Sequence, residues 1–275
     1  AEVWNGSREG TEGVVTNFGA DIAHPLDELT KRLGDYIKGA QGIAFRIGQH
    51  PKIQPIVLQV LEEQLNLVQR SGSLSLPLVA PCPLLHQLRL YKEPLELDRM
   101  RIAARISAEA HELARQAAHP GMHERQLQAV IEEYFLKKGA RGPAYGSIVA
   151  GGENACILHY TSNNSILNDG ELVLIDAGCS LLDYYNGDIT RTFPINGCFT
   201  GEQRALYEVV LAAQQAALES VVPSHNAEGV HAIAVRILVE GLVDLGLLNG
   251  TVDSLVEQNA YRHLYMHRTG HWLGL

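Results

Sequence analysis

Asp176 closes the apolar run Leu172-Val173-Leu174-Ile175, and Asp188 opens the run Ile189-Thr190-Arg191-Thr192-Phe193. Short apolar runs bounded by turn residues read as strands, and Gly178 with Asn186-Gly187 supplies a reversal between them. Side chains two apart share a strand face. Leu172, Leu174 and Asp176 therefore point one way, as do Asp188, Thr190 and Thr192. If the two strands pair as neighbours, both carboxylates reach one point of the sheet. Two unpaired carboxylates in an apolar setting are costly, and a bound cation is the usual remedy. Spacing alone leaves a second reading open, with Asp176 capping a turn through Gly178 and Asp188 paired with Arg191.

Three histidines join the candidates. His159 lies in Cys156-Ile157-Leu158-His159-Tyr160, where a strand would emerge from a core, and His267 and His271 stand four apart in MHRTGHWLGL. On a helix the last two would share a face, but Gly270 and Gly274 disfavour a helix there. The ordinary fate of such histidines is a hydrogen-bonded surface or core role. Other machinery is missing. The chain has no H-E-x-x-H and no G-x-S-x-G elbow. Gly151-Gly152 lacks the spaced glycines of a nucleotide loop, and Ser71-Gly72-Ser73 lacks a phosphate-loop lysine. Nothing local activates Cys156 or Cys179 as a nucleophile.

The elements that must position these residues follow from periodicity. Pro25 to Tyr36 and Pro55 to Gln69 read as helices, the first striped by Leu26, Leu29 and Leu33, the second by Val57, Leu58, Leu61, Leu65 and Val68. Ile43 to Ile47 is a short strand. PLVAPCP and LLHQLRLYKEP form a connection into a second domain. Helices are expected over Leu95 to Ala118, with Ile102, Ile106 and Leu113 on its stripe, and over His123 to Lys138. Strands are expected at Gly146 to Ala150, Asn154 to Tyr160 and Glu171 to Ala177. Thr200 to Gln203 is a capping-box signature for a helix showing Leu206, Val210, Ala213 and Ala217. A further helix, Ala227 to Leu245, shows Val230, Ile233, Ile237, Val239 and Val243, and Asn259 to Leu275 reads as extended. Two helices, strands, two helices and the start of more strands hint at an internal duplication.

Composition narrows the class. The 275 residues carry 22 Lys and Arg against 31 Asp and Glu, a net charge of -9, and no basic patch with interleaved aromatics. That disfavours nucleic acid as a partner. No apolar span reaches membrane length, and AEVWNGSREG is no signal peptide. The four cysteines, Cys82, Cys156, Cys179 and Cys198, lack C-x-x-C spacing, so buried thiols in a reducing, cytoplasmic setting are expected. Glu2-Val3-Trp4 reads like the middle of a domain, and the last residues, His271 to Leu275, read as part of an ordered element. A fragment is expected.

IDAG at 175–178, GDITRTFPING at 187–197, CILHY at 156–160 and MHRTGHWLGL at 266–275 resemble the Xaa-Pro aminopeptidase (aminopeptidase P) branch of the pita-bread metallopeptidases. EVWNG, FGAD and LRLYKEP extend the resemblance toward the N-terminus. It implies an α/β (α+β) fold, with a pita-bread catalytic domain over residues 91–275 truncated in its second half. Residues 1–90 would be the C-terminal part of a smaller α/β domain. It also implies two divalent metals bound by two aspartates, a histidine and two glutamates. Matched by motif, Asp176 and Asp188 are metal ligands, with Asp188 bridging, and so is His271. His159 and His267 line the substrate side and steady the tetrahedral intermediate. The implied reaction releases the residue before a proline at position 2 of a peptide. A metal-bridging water attacks, Mn2+ being the metal best suited to an oxygen-rich set with one imidazole. A dimer or tetramer and no membrane partner complete the expectation. Siblings are a prolidase-like dipeptidase and, in another class, a catalytically inactive peptide-binding relative. Two departures stand out: Asp188 follows Asp176 by one residue more than the family spacing, and both glutamates would lie beyond Leu275.

Overall fold

The computed structural model describes residues 6, 8–71 and 76–275, with backbone alone at 67–71. Glu2 to Asn5, Gly72-Ser73 and the side chain of Val68, each used above, lie outside the described residues. Two compact units meet in sequence at Tyr91 and Lys92.

In the first unit, helices α1 (Gly10–Phe18), α2 (Leu29–Tyr36) and α3 (Gln54–Ser71) accompany a parallel pair of two-residue strands, β1 (Ile43–Ala44) and β2 (Leu78–Val79). Ile37, Val57 and Val60 are its buried apolar residues among those described. Leu26 belongs to a 3-10 turn, Leu26–Glu28, rather than to α2, and is exposed. Leu58 and Leu65 are likewise exposed. The strand expected over Ile43 to Ile47 stops at Ala44. The expected connection after Pro77 is structured: it holds β2 and a helix, α4 (Cys82–Leu90). Pro83 stands in the first turn of α4, where a missing N–H costs no hydrogen bond.

The second unit is built on cap chemistry. Glu93 and Glu96 make a reciprocal capping box at the start of α5 (Pro94–Ala117), and His123 with Gln126 does the same for α6 (Glu124–Lys137). Between α6 and the next helix run β3 (Gly142–Pro143), β4 (Ile148–Gly151), β5 (Leu172–Asp176), β6 (Cys179–Ser180) and β7 (Thr190–Pro194). β4, β5 and β7 form an antiparallel sheet with β5 in the middle, and β3 pairs with β6. The core comprises Ala103, Ile106, Ala110 and Ala114 of α5, Leu127, Ile131 and Phe135 of α6, and Val149, Val173 and Ile175 of the sheet.

The stripe expected on α5 is corrected by this packing. Small residues, Ala103, Ala110 and Ala114, fill the buried positions with Ile106, while Leu113 is exposed. An alanine face lets the helix approach its neighbours closely, so hydrophobic bulk is a poor guide to burial there.

Thr200 accepts from Gln203 N and opens α7 (Gly201–Glu219), as the capping signature predicts. Only Ala213 and Ala217 of its expected stripe are buried; Leu206 and Val210 are exposed. Asn226 caps α8 (Ala227–Asp244), whose buried face is Ala234, Val235, Leu238, Val239 and Leu242. A short helix not foreseen from sequence, α9 (Val252–Glu257), joins Val235, Val239 and Leu242 in a second cluster with Leu248, Leu255 and Tyr261. Beyond it the chain is a 3-10 turn, Ala260–His263, followed by irregular backbone rather than an extended strand.

Asn154 to Tyr160 is not a strand either. Gly152–Cys156 is a 3-10 turn, entered through Gly152 at φ +52°, and Asn154 spends its amide on the side chains of Glu124, Tyr160 and Ser165. Side-chain bonding of this kind competes with a ladder.

Candidate functional site

β5 and β7 are neighbours, with Asp176 opposite Thr190, and Ala177 N donates to Ile189 O just beyond the regular ladder. The pairing therefore runs on to the residue after Asp188. Within β5, Val173 and Ile175 are fully buried, whereas Leu172, Leu174 and Asp176 are half-buried. Alternation places Asp176 on the face opposite the main core.

Glycine brings the second carboxylate in. A Cβ on Gly178 would lie 1.8 Å from Gly187 O and 2.8 Å from Asp188 N. The two backbones touch, and Asp188 follows directly. The loop between the aspartates is tied within itself: Ser180 bridges Asn186, Leu181 N donates to Tyr185 O, and Tyr184 takes φ +69°. Gly187 N still donates to Cys179 O at 2.8 Å. The ladder keeps one register from Leu172 opposite Pro194 to Asp176 opposite Thr190.

Tyr145 joins the carboxylates. Its hydroxyl lies 2.6 Å from Asp176 Oδ1 and 2.9 Å from Asp188 Oδ1, within donating reach of both. Thr190 Oγ1 donates to the other oxygen, Asp176 Oδ2, at 2.6 Å. Burial, then the bond to Asp176 and its charge, then Asp188, push the Tyr145 phenol far above its ordinary value. It stays a donor. Arg191 does not pair with Asp188; its guanidinium donates to the carbonyl of Thr190.

His271 Nε2 lies 3.1 Å from Asp188 Oδ2, and His271 Nδ1 lies 2.8 Å from Trp272 O. A carbonyl only accepts, so Nδ1 carries the proton and, in the neutral ring, Nε2 turns its lone pair toward a carboxylate. In that form the two facing acceptors would suit a cation. An imidazole whose other N–H is held by a carbonyl also has the usual orientation of a metal ligand. The donor set thus fits a divalent ion in type. Among the described residues, however, no group of three His, Cys, Asp or Glu side chains is drawn together closely enough to hold one as it stands.

His159 and His267 do not join this group. His159 is exposed on the turn after the 3-10 segment. His267, also exposed, presents Nδ1 to Arg268 O at 2.7 Å and packs against the Tyr265 ring at a steep angle, centroids 4.9 Å apart.

Two residues near the aspartates escaped sequence reasoning. Tyr145 follows Pro143-Ala144 with no periodic signal. His111, on α5, is buried, with Nε2 2.9 Å from Ala177 O and no partner for Nδ1. Burial lowers its pKa, the bond to Ala177 opposing only in part. Of the four cysteines, all free, only Cys179 is buried; Cys156 and Cys198 are exposed, contrary to the expectation of buried thiols.

Residues 98–275 match the model of metallopeptidase family M24. The whole chain is 40% identical to the Xaa-Pro aminopeptidase of Escherichia coli and spans 62% of its length. It is 42% identical to that of Haemophilus influenzae, spanning 61%. Among solved structures, the Pseudomonas aeruginosa aminopeptidase PepP superposes with a TM-score of 0.93 at 44% identity, over 99% of this chain and 62% of that one. An Escherichia coli aminopeptidase P variant in complex with substrate gives a TM-score of 0.93 at 40% identity, over 100% of this chain and 62% of that one. The mixed fold is thus that of the pita-bread enzymes. The chain belongs to metallopeptidase family M24.

Proposed function

We propose that the whole protein is a metal-dependent Xaa-Pro aminopeptidase, releasing the N-terminal residue of peptides with proline at position 2. The observation that carries this reading is the convergence of Asp176 and Asp188 on one hydroxyl, with His271 Nε2 3.1 Å from Asp188 Oδ2. The likeness to Xaa-Pro aminopeptidases over the full chain supports the substrate class.

In this reading Asp176, Asp188 and His271 hold divalent ions. A bound divalent pair would polarise the scissile carbonyl and make water a competent nucleophile near neutral pH. Tyr145 and Thr190 keep the carboxylates oriented by donating to them. His159 and His267 take the substrate side; because His267 Nδ1 faces the Arg268 carbonyl, that ring brings an Nε2–H to the developing charge on the substrate only as an imidazolium. Carboxylate oxygens with a single imidazole favour Mn2+, although a zinc-substituted Escherichia coli aminopeptidase P exists in complex with product. The tertiary amide before proline has no N–H, so the site must hold it without that donor.

Self-association as a dimer or tetramer belongs to the same proposal, supported by exposed apolar residues such as Phe18 and Ile22. Among the described residues no helix is long and apolar enough to cross a membrane. Four unpaired cysteines support a cytoplasmic setting. The test is hydrolysis of Arg-Pro-Pro against Gly-Pro by the whole protein loaded with Mn2+. Release of arginine from the tripeptide with little action on the dipeptide supports the aminopeptidase. Cleavage of Gly-Pro alone makes it a prolidase, and no metal-dependent cleavage of either contradicts the enzymatic reading.

A further inference from the structure

Glu124 is a carboxylate with no exposed surface. Such groups are rare unless their oxygens are satisfied. Oε1 accepts from Gly151 N at 2.9 Å and Asn154 Nδ2 at 3.0 Å; Oε2 accepts from Tyr160 Oη and Ser165 N, both at 2.8 Å. All four donors lie on one stretch of chain, Gly151 to Ser165, which has little regular structure and carries His159 near its middle. One carboxylate gathers its beginning, its turn and its end.

The same helix face continues the clamp. Gln128, one turn along α6, accepts from Asn163 Nδ2 at 2.9 Å and donates to Glu132 Oε1, which also accepts from Ser147 Oγ. Asn163 in turn accepts from Val149 N and donates to Ser147 O, tying the far end of the stretch to β4. Residues four apart share a helix face, so 124, 128 and 132 form a polar stripe on an otherwise apolar side. Between the tied points Ile157, Leu158 and His159 are left exposed.

We propose that Glu124 is a positioning residue for His159, acting through the hydroxyl of the adjacent Tyr160; the role in catalysis rests on the proposed aminopeptidase reading. Among the described residues, the backbone bonds holding the turn past Cys156 are Ile157 N to Asn154 O and Tyr160 N to Ile157 O. The height and direction of the His159 ring therefore depend on where Tyr160 is anchored. The anchor must accept at every site, because all four partners donate. Glutamine would set its NH2 against a backbone N–H whichever way it turned, that of Gly151 or that of Ser165.

The experiment uses the whole protein and the variants Glu124→Gln and Tyr160→Phe, each alone and with His159→Ala. Metal content, circular dichroism, kcat and KM on Arg-Pro-Pro, and the His159 ring resonances by NMR are measured. Tyr160→Phe keeps the ring and removes one donor, so it guards against a Glu124→Gln protein that fails to fold. The expected result is unchanged metal content, a kcat about tenfold lower with little change in KM, a displaced or broadened His159 resonance, and no further loss when His159 is already alanine. Equal losses in both backgrounds, or an unmoved His159 resonance, would overturn the proposal. If the parent protein cleaves no Xaa-Pro peptide, the enzymatic reading fails by itself, and the ring resonance still decides whether Glu124 positions His159.

Discussion

Gly187 crosses Gly178 at a distance that leaves no room for a side chain: a Cβ on Gly178 would stand 1.8 Å from the Gly187 carbonyl oxygen. Each glycine is within two residues of a candidate metal ligand, Gly178 after Asp176 and Gly187 before Asp188. The contact sets how near the two carboxylates come, and the shared hydroxyl of Tyr145 records that nearness.

Gly178→Ala should therefore damage both stability and the site. The obstruction is backbone, which cannot swing aside as a flexible side chain can, so the loss should be about 3 kcal/mol or more, at the upper end of overpacking. Urea unfolding would show it. Gly201→Ala is the control, since a Cβ there meets nothing within 4 Å, and its midpoint should stay level or rise.

The loop clamp has its own weak point. Asn163 is nearly fully buried at φ +45°, and its amide serves Val149 N, Gln128 and the Ser147 carbonyl. Asn163→Ala strands buried partners and puts a Cβ-only residue in a left-handed conformation. A loss of about 2–3 kcal/mol is expected, with faster amide exchange in residues 151–165. Exchange unchanged across that stretch would contradict the clamp.

His111 gives the fold an acid sensitivity. Its pKa is lowered in the folded state by burial, while in the unfolded chain it returns to its ordinary value near 6.5. Below that value the unfolded chain binds a proton the folded one resists, so this contribution is present above about pH 6.5. It is lost as pH falls from there through the folded value. The urea midpoint should fall between pH 7.5 and 5.5, and His111→Gln should flatten that part of the slope. An identical slope in the variant would show that other groups carry it.

Much of the arrangement was legible in the chain. The two runs that end in Asp176 and begin at Asp188 do pair, because their apolar content and the intervening turn residues act locally. The helix cap at Thr200 was equally readable for the same reason. Stripes drawn on large apolar residues did less well: Leu113, Leu206 and Val210 are exposed, while alanines line the tight interfaces. The run CILHY looks like a strand by composition, yet buried side-chain hydrogen bonds to Glu124 hold the chain around it in turns. That information lies far away in sequence, on α6. Tyr145 was invisible for a like reason, since its role arises only when three separate segments meet. The spacing of Glu124, Gln128 and Glu132 was the one overlooked signal, a polar stripe of period four on an amphipathic helix.

The central claim is that Asp176, Asp188 and His271 hold divalent metal. The most direct measurement is calorimetric titration of the metal-free whole protein with Mn2+, beside Asp188→Asn. Tight binding by the parent and binding weakened by about 100-fold or more in the variant are expected, because Asp188 touches both Tyr145 and His271. Equal Mn2+ affinity in the two proteins would contradict the account.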